Sequence, residues 1–205
     1  MSRIELRGKL IVFEGLDFTG KSTQVRLLAE QLRSRGLPVV TTREPGGTPI
    51  GEEVRKLLLS RNNSDLLPLS ELLLLITCRA QVYAQVIKPG LAEGAVVVSS
   101  RYRLSSLAYQ GYGRGLSLEL IHRLNDAATE GRKPDITFLI DLPAEIALGR
   151  RKGKGDRIEG EDLEFYRRVR QGYLELTRGD RTVVIIDGRK SVREIASEVT
   201  ALLGV

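Results

Sequence analysis

The hydrophobic positions fall into two alternating patterns. Five short runs are continuously apolar and rich in Val, Ile and Leu: 9–14, 38–42, 95–99, 136–141 and 182–187. Strands covered by helices on both faces have this character, because neither face can carry unpaired polar groups. Between them, apolar residues recur three and four apart. That spacing predicts helices over 21–35, 49–59, 69–91, 118–129, 144–151, 162–178 and 192–203. Two helix starts carry their own signals. Thr48 before Pro49 suits an N-cap and first helical position, and Ser191-x-x-Glu194 forms a capping box. Regular alternation of strand and helix predicts an α/β fold with a five-stranded parallel sheet flanked by helices. Ligands in such folds bind beyond the carboxyl ends of the strands, so functional residues are expected in the loops there.

Composition narrows the class. The 205 residues make a single domain spanning 1–205, since domains typically take about 100–200 residues. A hydrophobic content of 41% with 28% charged residues excludes global disorder. Cys78 is the sole cysteine, which excludes an intrachain disulfide framework. The opening MSRIELRGKLIVFEG lacks the pattern of a secretory leader, and the longest apolar run, 72–76, is far too short to span a bilayer. A soluble protein of the reducing cytoplasm is therefore expected. Lys and Arg exceed Asp and Glu by 32 to 26, a net charge of +6. That excess suits an anionic partner: nucleic acid, acidic membrane or nucleotide polyphosphate. Arginine supplies 24 of the 32 cations, which leans toward forked phosphate contacts.

A motif selects among these partners. Gly15-Leu16-Asp17-Phe18-Thr19-Gly20-Lys21-Ser22 matches G-x-x-x-x-G-K-[ST], with a predicted strand before it and a helix with Val25, Leu27, Leu28 and Leu32 after it. Glycines let successive backbone N–H groups face an anion, and the helix N-terminus adds partial positive charge. Lys21 can reach the β- and γ-phosphates, and the Ser22 hydroxyl can ligate Mg²⁺. A nucleoside triphosphate is the expected ligand. No NKxD base-reading motif of a GTPase is present, and a nucleic-acid motor would be longer. A small kinase also needs a second phosphate site and a basic cover.

The remaining motifs fit that need. Thr42-Arg43-Glu44-Pro45-Gly46-Gly47-Thr48-Pro49-Ile50-Gly51 follows the second strand, and Arg79-Ala80-Gln81 lies within the long predicted helix. Ser100-Arg101-Tyr102 follows the third strand, and Ser105-Ser-Leu-Ala-Tyr-Gln-Gly-Tyr-Gly-Arg-Gly115 comes next. Asp156-Arg157-Ile158-Glu159 follows the basic residues Arg150, Arg151, Lys152 and Lys154. With the phosphate loop, this set closely resembles thymidylate kinase, of the P-loop nucleoside monophosphate kinases, over about residues 9–203.

The resemblance implies ATP as phosphoryl donor, Mg²⁺, dTMP as acceptor, and a short lid at about 150–160. It implies a homodimer through long helices including 69–91, with no nucleic-acid or membrane partner. Residues 15–22, Thr23 and Arg150 would hold ATP, with Ser22 on the metal. Arg43 and Arg101 would hold the dTMP phosphate, Arg79 would reach the thymine ring, and Leu75, Ser100, Ser105 and Gln110 would line the same pocket. Tyr102 would pack near the sugar, and Asp17 would meet the 3′-hydroxyl or a metal-bound water. Catalysis would fall to Lys21, Arg101, Asp17 and the lid residue Arg157, with Glu159 as a further lid contact.

Four positions depart from the family pattern. Leu75 stands where a phenylalanine usually stacks on thymine, and Cys78 replaces an acid, which leaves Arg79 without that orienting partner. Ser100 replaces the acid of a usual DRY, and Phe18 occupies a position where some relatives carry a catalytic arginine. Leu75 and Cys78 favour one alternative, a kinase of another nucleoside monophosphate. Ser100 favours another, a catalytically weak nucleotide-binding paralogue. A nucleic-acid-binding role for the +6 charge is opposed by the intact phosphate loop. His122 has no catalytic partner in the sequence, Cys78 has no metal-spaced companion, and Asp141 is expected to cap the helix that follows Pro143. Tyr109 and Tyr112 are expected to pack a glycine-rich loop.

Overall fold

The structure, a computed structural model, describes residues 5–205; residues 1–4, part of the stretch read for a leader, lie outside it. The chain runs β1 (Leu10–Glu14), α1 (Lys21–Ser34), β2 (Val39–Arg43), α2 (Pro49–Leu59), α3 (Pro68–Val82), α4 (Lys88–Ala92) and β3 (Val96–Ser100). It continues through α5 (Arg103–Ser106), α6 (Leu118–Thr129), β4 (Ile136–Asp141), α7 (Ala144–Gly149), α8 (Leu163–Leu176), β5 (Val183–Asp187) and α9 (Val192–Leu203). The five strands form one parallel sheet in the order β2-β3-β1-β4-β5. Both β1 and β3 are buried along their whole length, as continuous apolar runs predict.

Period-two alternation sorts each strand's side chains into two layers. Ile11 and Phe13 join Val96, Val98, Phe138 and Ile140 against α1 and α9, through Leu28, Leu32, Ile195 and Val199. Leu10, Val12 and Val97 turn to the opposite face, toward Val82, Ile87 and Tyr102. On that face Leu139 and Leu142 pack against Phe165, Tyr166 and Tyr173 of α8. The phosphate loop and the segments after β2 and β3 all leave the carboxyl end of the parallel sheet.

Helix starts follow the sequence signals. The Thr48 hydroxyl accepts from Gly51 N at 3.0 Å, and the Ser191–Glu194 capping box closes in both directions. Two predictions are corrected. The helix over 69–91 is interrupted by a wide turn at Tyr83–Ile87, where Lys88 N bonds Tyr83 O five residues back. Pro89 explains it: proline lacks an N–H and its ring crowds the carbonyl four residues earlier, which a local π-turn relieves. Asp141 does not cap α7; its carboxylate takes two 2.8 Å bonds from Arg170.

The segment expected as a glycine-rich loop is helical: α5 runs on into a wide π-turn at Leu107–Gly113. Its glycines serve close packing. A Cβ on Gly113 would lie 2.7 Å from Phe165, and one on Gly172 of α8 would lie 2.5 Å from Tyr112. Helical propensity is sacrificed so that two backbones can approach. Gly172→Ala should therefore lower stability by about 1–3 kcal/mol through overpacking. Gly149→Ala, where nothing lies within 4 Å, should be neutral or mildly stabilising. Chemical-denaturation midpoints check the pair, and equal midpoints would contradict the packing argument.

Candidate active site

The phosphate loop turns from β1 into α1. Gly15 (φ 134) and Gly20 (φ 90) take backbone conformations that favour glycine, and a Cβ at Gly15 would lie 2.5 Å from the Ile140 carbonyl. Phe18 adopts a left-handed φ of 65 despite its side chain. Such geometry is costly and concentrates at functional sites. The α1 N-cap is Gly20, which offers no side-chain acceptor, so the first N–H groups of the helix face outward for an anion. Lys21 is buried, and its Nζ donates to the Leu16 carbonyl. Burial, reinforced by the nearby Arg101 charge, pushes the Lys21 ammonium down to about 7.

Arg101 sits at the end of β3, also left-handed at φ 70. It pairs with Asp17, and donates to the Gly15 carbonyl at 3.2 Å, Ser105 at 3.0 Å and the Tyr109 hydroxyl at 3.1 Å. Its guanidinium carbon lies 4.8 Å from the Tyr109 ring centroid, over the ring. Asp17 accepts from the Tyr109 hydroxyl at 2.8 Å and the Tyr166 hydroxyl at 3.2 Å. Burial alone would raise the Asp17 carboxyl, but Arg101, Lys21 and these donors more than offset it and hold it below its ordinary range.

A partly open cavity adjoins this pair. Of the residues expected from the sequence, Asp17, Leu75, Arg79, Arg101, Ser105, Gln110 and Glu159 line it. Glu44, Arg55, Ser106 and Tyr109, outside the set expected from the sequence, line it too. Tyr109 was expected only to pack a loop. Arg55 lies one helical turn beyond Gly51, but among 24 arginines it had no local signal.

Several expected placements are corrected. Tyr102 does not line the cavity: its ring is fully buried and its hydroxyl donates to the Arg132 carbonyl at 3.3 Å. Arg79 does not lack orienting partners. Nε donates to Glu44 at 2.8 Å, Nη1 to Ser106 and Asn125, and Nη2 to the Tyr102 carbonyl at 2.9 Å, with Glu44 2.6 Å from Nη2. These five contacts match the five N–H donors of a guanidinium, so none is left for a base. Cys78 is buried and its thiol donates to the Gly51 carbonyl at 3.5 Å. Arg157 is not poised over the phosphate loop. It donates to the Leu58 carbonyl at 2.9 Å and to Glu71 at 2.6 Å. Arg150 donates to the Gly188 carbonyl at 3.1 Å.

Ser22, Thr42, Arg43 and Ser100 meet at a second hollow beside the phosphate loop. Arg43 there pairs with Glu52 at 2.9 Å and does not line the first cavity. The Thr42 hydroxyl is buried with no partner. Three hydroxyl oxygens, that of Thr42 buried without a partner, suit a hydrated Mg²⁺, a hard cation that keeps several waters. Among the described residues no cluster of three or more His, Cys, Asp or Glu that could hold a metal occurs, and no helix is long and apolar enough to cross a membrane.

The family model for thymidylate kinase matches residues 13–199. The chain belongs to the thymidylate kinase family. It is 48% identical over 189 residues to a thymidylate kinase of Caldanaerobacter subterraneus subsp. tengcongensis, covering 91% of this chain and 90% of that protein. It is 46% identical over 200 residues to one from Carboxydothermus hydrogenoformans, covering 97% and 98%. The crystal structure of thymidylate kinase from Ehrlichia chaffeensis superposes with a TM-score of 0.79 at 36% identity, over 97% of this chain and 100% of that one. The thymidylate kinase motifs of this chain thus sit on the family's fold.

Two measurements check this electrostatic picture. Arg79→Met should cost about 3–5 kcal/mol, because Glu44 would be left buried and unpaired; a denaturation midpoint within error of the parent would contradict that role. Lys21 should bind a triphosphate as the ammonium. Titrating ATP at pH 8 should therefore show proton uptake in buffers of different ionisation enthalpy, and the uptake should shrink at pH 6. Buffer-independent heats at pH 8 would contradict the depressed lysine.

Proposed function

We propose that the chain transfers the γ-phosphoryl group of ATP to dTMP, giving dTDP and ADP for deoxynucleotide synthesis in the cytoplasm. The observation that carries the reading is the Arg101–Asp17 pair: Arg101 donates to the phosphate-loop carbonyl of Gly15 while lining the adjoining cavity. Two anions that repel each other must meet in line, and a guanidinium shared by their sites offsets that repulsion.

The division of labour follows from position. Residues 15–23 and Lys21 take the triphosphate, and Arg150, tied to the segment after β5, flanks its base. The dTMP phosphate enters at Arg101 and Arg55, and its oxygen attacks the γ-phosphorus as the bond to the ADP oxygen breaks. No general base is required, since that phosphate oxygen is already ionised. Tyr109 and Asp17 border the sugar. The base lies over Leu75 toward Ser106 and Gln110. The Ser106 oxygen accepts from Arg79, which leaves its own O–H free to donate, and the Gln110 oxygen is a buried acceptor with no partner. A keto oxygen and a ring N–H of thymine match that pair. Mg²⁺ held at Ser22 would supply positive charge across the ATP phosphates. Arg157 can join only if the lid leaves its present bond to Glu71; Lys152 and Lys154 on the same lid are exposed and free to approach.

A homodimer is part of this reading. Leu69 and Leu73 lie one turn apart on α3 and are exposed, as is Leu120 of the adjoining α6, an apolar face suited to a second copy.

Lys21→Ala should reduce dTMP turnover at least about 10³-fold, by removing charge stabilisation at the phosphates; unchanged turnover would sink the assigned role. Ser100→Asp should raise turnover, because a carboxylate there would meet the unpaired Thr42 hydroxyl and help order a hydrated metal. A fall or no change would show that the hydroxyl set already suffices.

A further inference from the structure

Glu71 lies in the first turn of α3, buried to 1% exposure, and touches no part of the cavity. Four donor atoms converge on its carboxylate: Gln110 Nε2 at 2.8 Å, Arg114 Nε at 3.3 Å and Nη2 at 3.2 Å, and Arg157 Nη2 at 2.6 Å. Burial would raise its pKa, but the Arg114 charge and the three donor side chains hold it below the ordinary value.

An ionised carboxylate only accepts hydrogen bonds. Gln110 can therefore turn only its NH₂ toward Glu71, which directs its oxygen away from Glu71, and Gln110 lines the cavity. That oxygen is buried with no partner in the protein. A buried acceptor left unpaired is costly, so the cavity favours a ligand edge that donates there. At the ring position between the two carbonyl-bearing carbons, thymine and uracil carry N–H, whereas cytosine carries a bare nitrogen.

We propose that Glu71 is a positioning residue that fixes the Gln110 amide as an acceptor and so sets the enzyme's preference for keto pyrimidines over cytosine. Glu71 does so without contacting the nucleotide. The same carboxylate anchors Arg157, so the group that orients the base-reading amide also tethers the lid. The proposal rests on the dTMP kinase reading above.

Glu71→Gln tests it. The two arginines would claim the one remaining oxygen, leaving the new NH₂ toward Gln110. Gln110 would then turn its oxygen inward and present donors to the cavity. The ratio of kcat/KM for dTMP to that for dCMP should fall by about tenfold or more, the size of one lost hydrogen bond. The KM for ATP should stay within about twofold, because the phosphate loop is untouched. Glu71→Asp keeps an acceptor-only group and should retain the preference even if it is less stable. Equal loss of preference in both variants would mean that Glu71 is only structural, and an unchanged ratio in Glu71→Gln would overturn the proposal. Should Glu71→Gln fail to fold, Gln110→Met, which removes the acceptor together with the amide donor to Glu71, should lower the ratio similarly; an undiminished preference would also overturn it. Failure of the parent enzyme to make dTDP would instead count against the kinase reading. In that case equilibrium binding of dTMP and dCMP to parent and variants still decides the role of Glu71.

Discussion

A guanidinium held between the phosphate loop and the adjoining cavity is the constraint around which the rest is arranged. Arg101 is largely buried, and a buried cation is tolerable only when paired and hydrogen-bonded. Asp17 provides the counter-charge from inside the phosphate loop, and the Gly15 carbonyl provides a further acceptor. The arginine pays for this position with a left-handed backbone. Tyr109 and Tyr166 then hold Asp17, and an edge-to-face array of Tyr109, Phe165, Tyr166 and Tyr173 holds those tyrosines. That array requires α8 to approach the 107–113 turn closely, which Gly113 and Gly172 permit. Electrostatics at the site thus reaches back into helix packing.

Three buried glutamates support different walls of the same cavity. Glu14 accepts from the backbone N–H of Tyr102 and Ser105 and from the Ser105 hydroxyl, fixing the turn that carries Arg101. Glu44 holds Arg79, and Glu71 holds Gln110. Each carboxylate is acceptor-only when ionised, so each dictates which way its partner's donors point. Polarity inside the cavity is therefore imposed by buried carboxylates, Glu44 in its wall and Glu14 and Glu71 behind it. This also explains how Cys78 and Leu75 can stand where an acid and an aromatic are usual. Arg79 is oriented by Glu44 and Asn125, and Leu75 packs with Leu58 and Cys78 as part of a continuous wall.

Much of the fold was legible because its signals are local. The strands, the phosphate loop, the Thr48 cap and the Ser191–Glu194 box each depend on neighbours a few residues away. The roles that sequence reasoning missed depend on distant partners. Glu44 lies 35 residues from Arg79, Glu71 lies 39 from Gln110, and Arg157 lies 86 from Glu71. No spacing rule reveals such pairs. The family resemblance implied that Tyr102 packs near the sugar, yet its ring is buried in the core and Tyr109, seven residues on, lies at the cavity. The glycines of 111–115 read as a loop because close helix contact and a turn draw on the same residue.

The central claim is that one cleft brings the ATP γ-phosphate to the phosphate of a thymine nucleotide. It is tested most directly by offering the purified protein ATP and Mg²⁺ with dTMP, dUMP, dCMP, dGMP or AMP separately and separating the diphosphates by chromatography. The account predicts that dTDP forms fastest, dUDP follows, and dCDP trails both. Faster phosphorylation of dCMP or of a purine nucleotide, or ATP binding with no diphosphate from any acceptor, would contradict it.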